Sequence, residues 1–195
     1  MEDVLVKRFM ELAGQACNDV RDPSAIPFEK RALGAKLLLS EVLEYVIEGL
    51  GVTPTVNGTP ITDPDGVEYK NTNAPSSKLE MIDGLADVAY TMYWNSLAFG
   101  LPLEKAFQAV SENNLEKFVK VPSILPHRKE GARMLIEQNL WHLEQGITWP
   151  KEVTTVELIQ IDGVWYCVGT DSSGKVRKPS SYVPVDLSGL VAAGS

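Results

Sequence analysis

Leu37-Leu38-Leu39-Ser40-Glu41-Val42-Leu43-Glu44-Tyr45-Val46-Ile47-Glu48 carries two patterns at once. Leu37, Val42, Leu43 and Val46 recur at a helical period, and Glu41, Glu44 and Glu48 follow at spacings of three and four, which puts the three carboxylates on one helix face. Worked outward, the apolar spacing predicts a helix from about Phe28, opened by Pro27, to Leu50, with Gly51 as its stop. The pattern recurs downstream. Glu80, Asp83 and Asp87 share a face of a second helix, read from Ser77 to Phe99, in which Ser77 caps the start and Glu80 completes a capping box. A residue turns by about 100°, so each trio spans an arc of about 60°.

Exposed like charges one turn apart cost only about 0.2–0.5 kcal/mol per pair, so a single acidic stripe usually means a solvated face. Here no Lys or Arg occurs from Leu37 to Tyr69 or from Leu79 to Glu104, and the flanks are apolar: Leu37-Leu38-Leu39 on one helix, Leu85-Ala86 and Val88-Ala89-Tyr90 on the other. If the stripes faced one another inside a bundle, carboxylates about 5 Å apart would repel by about 3 kcal/mol per pair at an effective dielectric near 20. They would take up protons or gather a cation, and oxygen-only ligands select a hard one, Mg²⁺ or Mn²⁺. A di-iron centre is excluded, because it needs Glu-x-x-His, whereas Asn139 precedes His142 by three and Ile124 precedes His127 by three. Both histidines are expected to be surface or packing residues.

The remainder predicts a helix from Asp3 to Cys17, another from Pro102 to Phe118 and a fifth, amphipathic through Met134, Leu135, Leu140 and Trp141, from His127 to Gln145. Asn57-Gly58 and Asp65-Gly66 mark a loop with a short hairpin between Val52 and Ser77, and a loop of that length points to local structure or function. Val153–Ile161 and Val164–Gly169, joined by Asp162-Gly163, read as a β-hairpin, and the tail from Asp171 reads as irregular. The expected architecture is mainly α: a four-to-five-helix bundle with a small C-terminal β-hairpin and irregular appendage. Its parts are a helical core over 1–118 with a loop or hairpin insertion at 52–77, an inserted helix plus hairpin over 119–173, and a tail over 174–195.

With 195 residues, 44% hydrophobic and 23% charged, one packed domain is expected. The net charge of −8 argues against nucleic acid or an anionic membrane as partner. Cys17 and Cys167 form no metal or disulfide motif, no apolar run is long enough to span a bilayer, and Met1-Glu2-Asp3 does not open a signal peptide. A cytoplasmic protein is expected.

Glu41-x-x-Glu44 followed by Glu80-x-x-Asp83-x-x-x-Asp87 resembles the acidic signature of the all-α NTP pyrophosphohydrolases, the MazG-like superfamily. Ile82-Asp83-Gly84-Leu85-Ala86-Asp87-Val88-Ala89-Tyr90, then Ala106-Phe107, Val110 and Asn114-x-x-Lys117, then Gly174-Lys175-Val176-Arg177-Lys178-Pro179 with Tyr182-x-Pro184-x-Asp186-Leu187, are similar to successive blocks of its phage and bacterial phosphoribosyl-ATP pyrophosphohydrolase-like branch. Phe9 through Gln15 and Arg31 also fit. Four features depart from that pattern: Ser40 where the first acid stands, Trp94 where a small residue stands, Asn113 in place of serine, and a longer link between Lys117 and Gly174.

The resemblance implies Mg²⁺-dependent hydrolysis of a (deoxy)nucleoside triphosphate to the monophosphate and pyrophosphate, with Mn²⁺ as a substitute cation. It implies a homodimer or homotetramer, in a host cytoplasm if the chain is viral, and a purine substrate, dGTP first, since phage members of the branch clear guanine nucleotides. Glu41, Glu44, Glu80, Asp83 and Asp87 are the implied metal set, with Glu41, Glu44 and Glu80 catalytic and Glu48 a weaker candidate. Asn114, Lys117, Lys175 and Lys178 are the phosphate-binding candidates. Gln15, Trp94 and Asn95 are the base-binding candidates; Phe28, Tyr90 and Tyr93 also offer rings for stacking. Two alternatives stand beside this reading: a non-catalytic nucleotide or metal sensor, which Ser40 favours, and a helical interaction protein that docks a partner through the inserted segment.

Overall fold

A computed structural model of the chain describes residues 3–15, 26–121, 129, 131–137 and 146–192. The chain divides into two compact units, one formed by Met1–Asn18 with Tyr90–Ser195 and the other by Asp19–Ala89.

The first unit is built on a four-stranded antiparallel sheet of order β3-β6-β5-β4. The strands are β3 (Val119–Val121), β4 (Arg133–Leu135), β5 (Val153–Ile161) and β6 (Val164–Asp171). β5 and β6 form the expected hairpin. Asp162 and Gly163 take positive φ values of 53° and 74°, the backbone twist that a two-residue turn between antiparallel strands requires. The turn fixes the register, which pairs Ile161 with Val164, Ile159 with Tyr166 and Leu158 with Cys167.

Strand side chains alternate between faces, and both faces of this pair are buried. On one face Val156, Leu158, Trp165 and Cys167 pack with Val119 and Ile147. On the other, Ile159, Ile161 and Val168 pack with Leu12 of helix α1 (Asp3–Leu12), with Phe118, and with Val176 from the tail. Phe118 closes edge-on against Phe9 of α1, with ring centroids 5.1 Å apart. It lies just beyond helix α4 (Leu103–Leu115), which packs on α1. Gly169 leaves room for the Trp149 indole, since a Cβ there would stand 2.5 Å from the ring.

Two expectations are corrected here. The chain is a mixed α and β protein with two antiparallel sheets among the described residues, in place of a mainly α, four-to-five-helix bundle. The buried apolar side chains gather on the β5–β6 sheet, whereas the two long helices bury almost nothing: Ser40 and Leu43 on one, no residue on the other. The expected fifth helix is also interrupted. Arg133–Leu135 is a strand paired with β5, Met134 standing opposite Leu158. Ala132, Met134 and Ile136 all pack on the sheet core, an alternation with period two that helical spacing at Met134 and Leu135 masked. The rest of that expected helix, including His127, Leu140, Trp141 and His142, lies mostly outside the described residues, as does Cys17.

In the second unit, helix α2 (Phe28–Glu44) continues into one π-helical turn (Tyr45–Gly49). A minimal hairpin, β1 (Thr55–Val56) and β2 (Thr59–Pro60), follows with Asn57 and Gly58 both at positive φ. Helix α3 (Lys78–Ala98) then begins, with the Ser77 hydroxyl accepting the Glu80 amide at 3.4 Å. The unit boundary falls inside α3, after Ala89. A tail helix, α5 (Ser188–Ala192), ends the regular structure of the first unit.

Two glycine substitutions test these backbone assignments with opposite signs. A Cβ on either Gly163 or Gly34 meets no atom within 4 Å, so sterics with neighbours play no part. Gly163→Ala forces a left-handed alanine and is expected to destabilise its unit by about 1–2 kcal/mol. Gly34→Ala in α2 should stabilise by about 0.5–1 kcal/mol. Urea denaturation reads both.

Candidate functional site

The acidic trios sit on helices, as their spacing predicts. Leu43, on α2, is buried together with Ser40, while Glu41, Glu44 and Glu48 are exposed. The π turn begins at Tyr45, between Glu44 and Glu48, and such turns recur at functional sites because they re-aim the side chains around them. Ser40, where the resembled family carries an acid, is 3% exposed, so a carboxylate at this position would have to be buried. Glu80, Asp83 and Asp87 are exposed on the portion of α3 that belongs to the same unit.

All five expected metal ligands therefore fall in the second unit, all on exposed faces. As a donor set they suit a hard divalent cation: oxygen only, with no Lys or Arg interleaved. Their arrangement does not close a site within one chain. α2 and the first turns of α3 do not pack along each other, and among the described residues no three acidic, histidine or cysteine side chains are grouped closely enough to hold a metal.

The phosphate-binding candidates all belong to the first unit. Lys117 and Lys178 meet at one ring, their ammonium nitrogens 5.9 Å and 5.2 Å from the Tyr182 centroid, and Lys117 also lies 5.7 Å from the Phe9 ring. Tyr182 is fixed by buried Asn113, whose side-chain oxygen accepts the phenol hydrogen bond. The Asn113 amide donates to the Val183 carbonyl at 2.8 Å and to Glu116 at 3.2 Å. Burial, and then the Glu116 carboxylate, push the Tyr182 phenol above its usual range, so it stays a donor at neutral pH. Asn113 thus ties the tail to the end of α4, a role that the sequence motif alone did not suggest.

Lys175 and Arg177 belong to a different local structure. Asp171 Oδ1 accepts the Ser173 amide, the Ser173 hydroxyl and the Lys175 amide at 2.9, 2.7 and 3.0 Å. Its Oδ2 takes the Arg177 guanidinium at 2.8 and 2.6 Å, so Arg177 is already neutralised. Asn114 is half-buried on α4, one turn before Lys117.

Of the base-binding candidates, Asn95 donates its side-chain amide to the Thr91 carbonyl one turn back at 2.8 Å. Trp94 is 57% exposed, and Gln15 is half-buried just past the end of α1. Tyr90 and Tyr93 are exposed on α3. Cys167 is fully buried and burial pushes its thiol to about 12, so it is no nucleophile.

Two cavities were not foreseen from the sequence. One in the first unit, about 560 Å³, is lined by Arg8, Leu12, Phe118, Lys120 and Tyr166 among others, and Arg8 reaches out of it to Asp162 at 2.8 Å. The other, in the second unit, involves Arg31 and the loop before α3. Comparison with protein-family models, with curated proteins and with solved structures finds no match to this chain. No helix among the described residues is long and apolar enough to cross a membrane.

The Asp171 turn makes a pH prediction. Burial raises the Asp171 carboxyl, but hydrogen bonds from Ser173, Lys175 and Arg177 outweigh it and hold the group below its ordinary value. A depressed folded-state value means that the stabilisation is complete above the unfolded value, about 4, and is lost as pH falls below it. Asp171→Asn should therefore lower stability at neutral pH and flatten its loss with acid below about pH 4. Urea midpoints measured from pH 7 to pH 2.5 check this.

Proposed function

We propose that this chain is a Mg²⁺-dependent pyrophosphohydrolase acting on a (deoxy)nucleoside triphosphate. The supporting observation is the pair of carboxylate stripes, Glu41-Glu44-Glu48 and Glu80-Asp83-Asp87, both solvent-facing in one compact unit and both free of interleaved cations in sequence.

In this reading Glu41, Glu44, Asp83 and Asp87 would hold the cation once a second copy completes the set, and Glu80 would accept the proton of the attacking water. Bound there, Mg²⁺ supplies charge neutralisation on the triphosphate and acidifies that water. The water oxygen forms a bond to the α-phosphorus, and the bond from that phosphorus to the bridging oxygen breaks. The products are the nucleoside monophosphate and pyrophosphate, and the proton passes from Glu80 to solvent. The phosphate-binding candidates Asn114, Lys117, Lys175 and Lys178 all belong to the first unit, where Lys117 and Lys178 gather on Tyr182 and offer positive charge to an anion. A purine, dGTP first, is the proposed substrate, and location in a cytoplasm follows from the same reading.

The working form proposed is a homodimer. All 21 residues of α3 lie outside the buried core, with Leu79 72%, Ile82 63% and Leu97 82% exposed. Leu85, Tyr90 and Trp94 are exposed as well, and so many exposed large apolar side chains on one helix favour an interface. A second copy laid on it brings further carboxylates toward those of the first chain.

Two experiments decide. Pyrophosphate release from a panel of NTPs and dNTPs with Mg²⁺ should be abolished by Glu41→Gln and by Asp83→Asn, and Glu80→Gln should lower kcat about 10²–10⁴-fold, the range for losing a general base. Nucleotide binding without release across the whole panel would replace the enzyme with a sensor. By light scattering after size exclusion, the chain should run as a dimer, and Leu85→Lys should convert it to monomer and remove activity together.

A further inference from the structure

Arg31 lies in the first turns of α2, and across from it the segment Asn71–Ser76 lines a polar cavity of about 350 Å³ within the second unit. The loop is shaped by its own side chains. Asn71 Oδ1 accepts the Asn73 amide at 2.9 Å, Thr72 Oγ1 accepts the Ala74 amide at 3.4 Å, and Asn73 takes a left-handed φ of 58°. Pro75 then leads into Ser76, immediately before the cap of α3.

Arg31 Nε and Ser76 Oγ are each shielded from solvent and have no hydrogen-bond partner among the described residues. An N–H or O–H held out of water with no acceptor is costly. The described residues of the lining are Arg31, Asn71, Asn73, Ala74, Pro75 and Ser76, with no carboxylate among them. Cation, hydroxyl and side-chain amides together form a donor-rich lining suited to an anion with several oxygens in three dimensions. The volume stands at the small end of ligand pockets, about 300–1,000 Å³ as a class, and admits a phosphoryl chain.

We propose that this pocket is an oxyanion site, in which Arg31 and Ser76 bind a phosphoryl group of pyrophosphate size. It is built from residues of the second unit, whereas the lysines gathered on Tyr182 belong to the first, and it needs no metal and no turnover, so it stands whether or not the chain hydrolyses nucleotides.

The test is calorimetric titration of the full chain with inorganic pyrophosphate in EDTA, with inorganic phosphate as the smaller probe. Pyrophosphate should bind, more tightly than phosphate. Arg31→Gln should weaken it at least about 10-fold, Arg31→Lys, which keeps charge but loses the fork, by less, and Ser76→Ala about 3-fold or more. Circular dichroism and urea midpoints confirm that each variant is folded, and if Arg31→Gln is not, Arg31→Lys and Ser76→Ala carry the comparison. Absence of pyrophosphate binding overturns the proposal. So does binding that survives the Arg31 and Ser76 substitutions, including binding lost in Lys117→Gln instead, which would assign the phosphate to the other cluster. Arg31-dependent binding without pyrophosphate release from any triphosphate would instead end the hydrolase reading and leave this site in place.

Discussion

The Asp162-Gly163 turn holds β5 and β6 in one register, and that register decides which side chains meet which face. Side chains alternate along a strand, so a slip of one residue would exchange the two faces wholesale. Val156 and Leu158 would leave the cluster with Trp165 and Cys167, and Ile159 and Ile161 would leave Leu12 and Phe118. α1, the end of α4 and Val176 of the tail all rest on the second of these faces. The position of Lys117 beside Phe9, and of Tyr182 beside Lys117, depends in turn on that packing.

The helical unit obeys a different constraint. A sheet buried on both faces stabilises its own backbone through burial. α2 and α3 bury very little, so most of their apolar side chains and their acidic stripes stay open to solvent. Mutual repulsion between carboxylates is weak in water and strong in a confined, poorly solvated space. The same stripes are thus nearly neutral to stability on an open helix and strongly demanding of a cation once something closes over them. Apolar surface beside acidic surface on α3 couples those two events, because covering the one desolvates the other.

Features set by neighbouring residues were legible in the sequence. Asn57-Gly58 and Asp162-Gly163 announce their turns because few residues tolerate positive φ, and Ser77 announces the start of α3 because a hydroxyl there satisfies an orphan amide. The acidic trios were placed on helices correctly for the same local reason. β4 was missed because its three residues are too few to display alternation against the helical spacing around them, and β3 is equally short. The fold class is not legible locally, because helix length shows in the sequence whereas the burial of both faces of β5 and β6 does not. The Asn113–Tyr182 bond joins residues 69 apart, and the Arg31 cavity joins α2 to a loop some 40 residues later; neither leaves a trace in local pattern. Whether the two stripes converge depends on what lies over them, which no single-chain periodicity encodes.

The sheet's unequal strand lengths carry a consequence for solution behaviour. The long pair, nine and eight residues, lies in the middle, and each outer position is taken by a strand of three. Strands that short present few open backbone donors and acceptors along the rim, so a neighbouring molecule has little template on which to add a strand of its own. Past β3 the tail carries the border of β6 onward, where Thr170 bridges Val176 and the Arg177 amide donates to the Gly169 carbonyl, so that rim is closed by two short segments in place of one long strand.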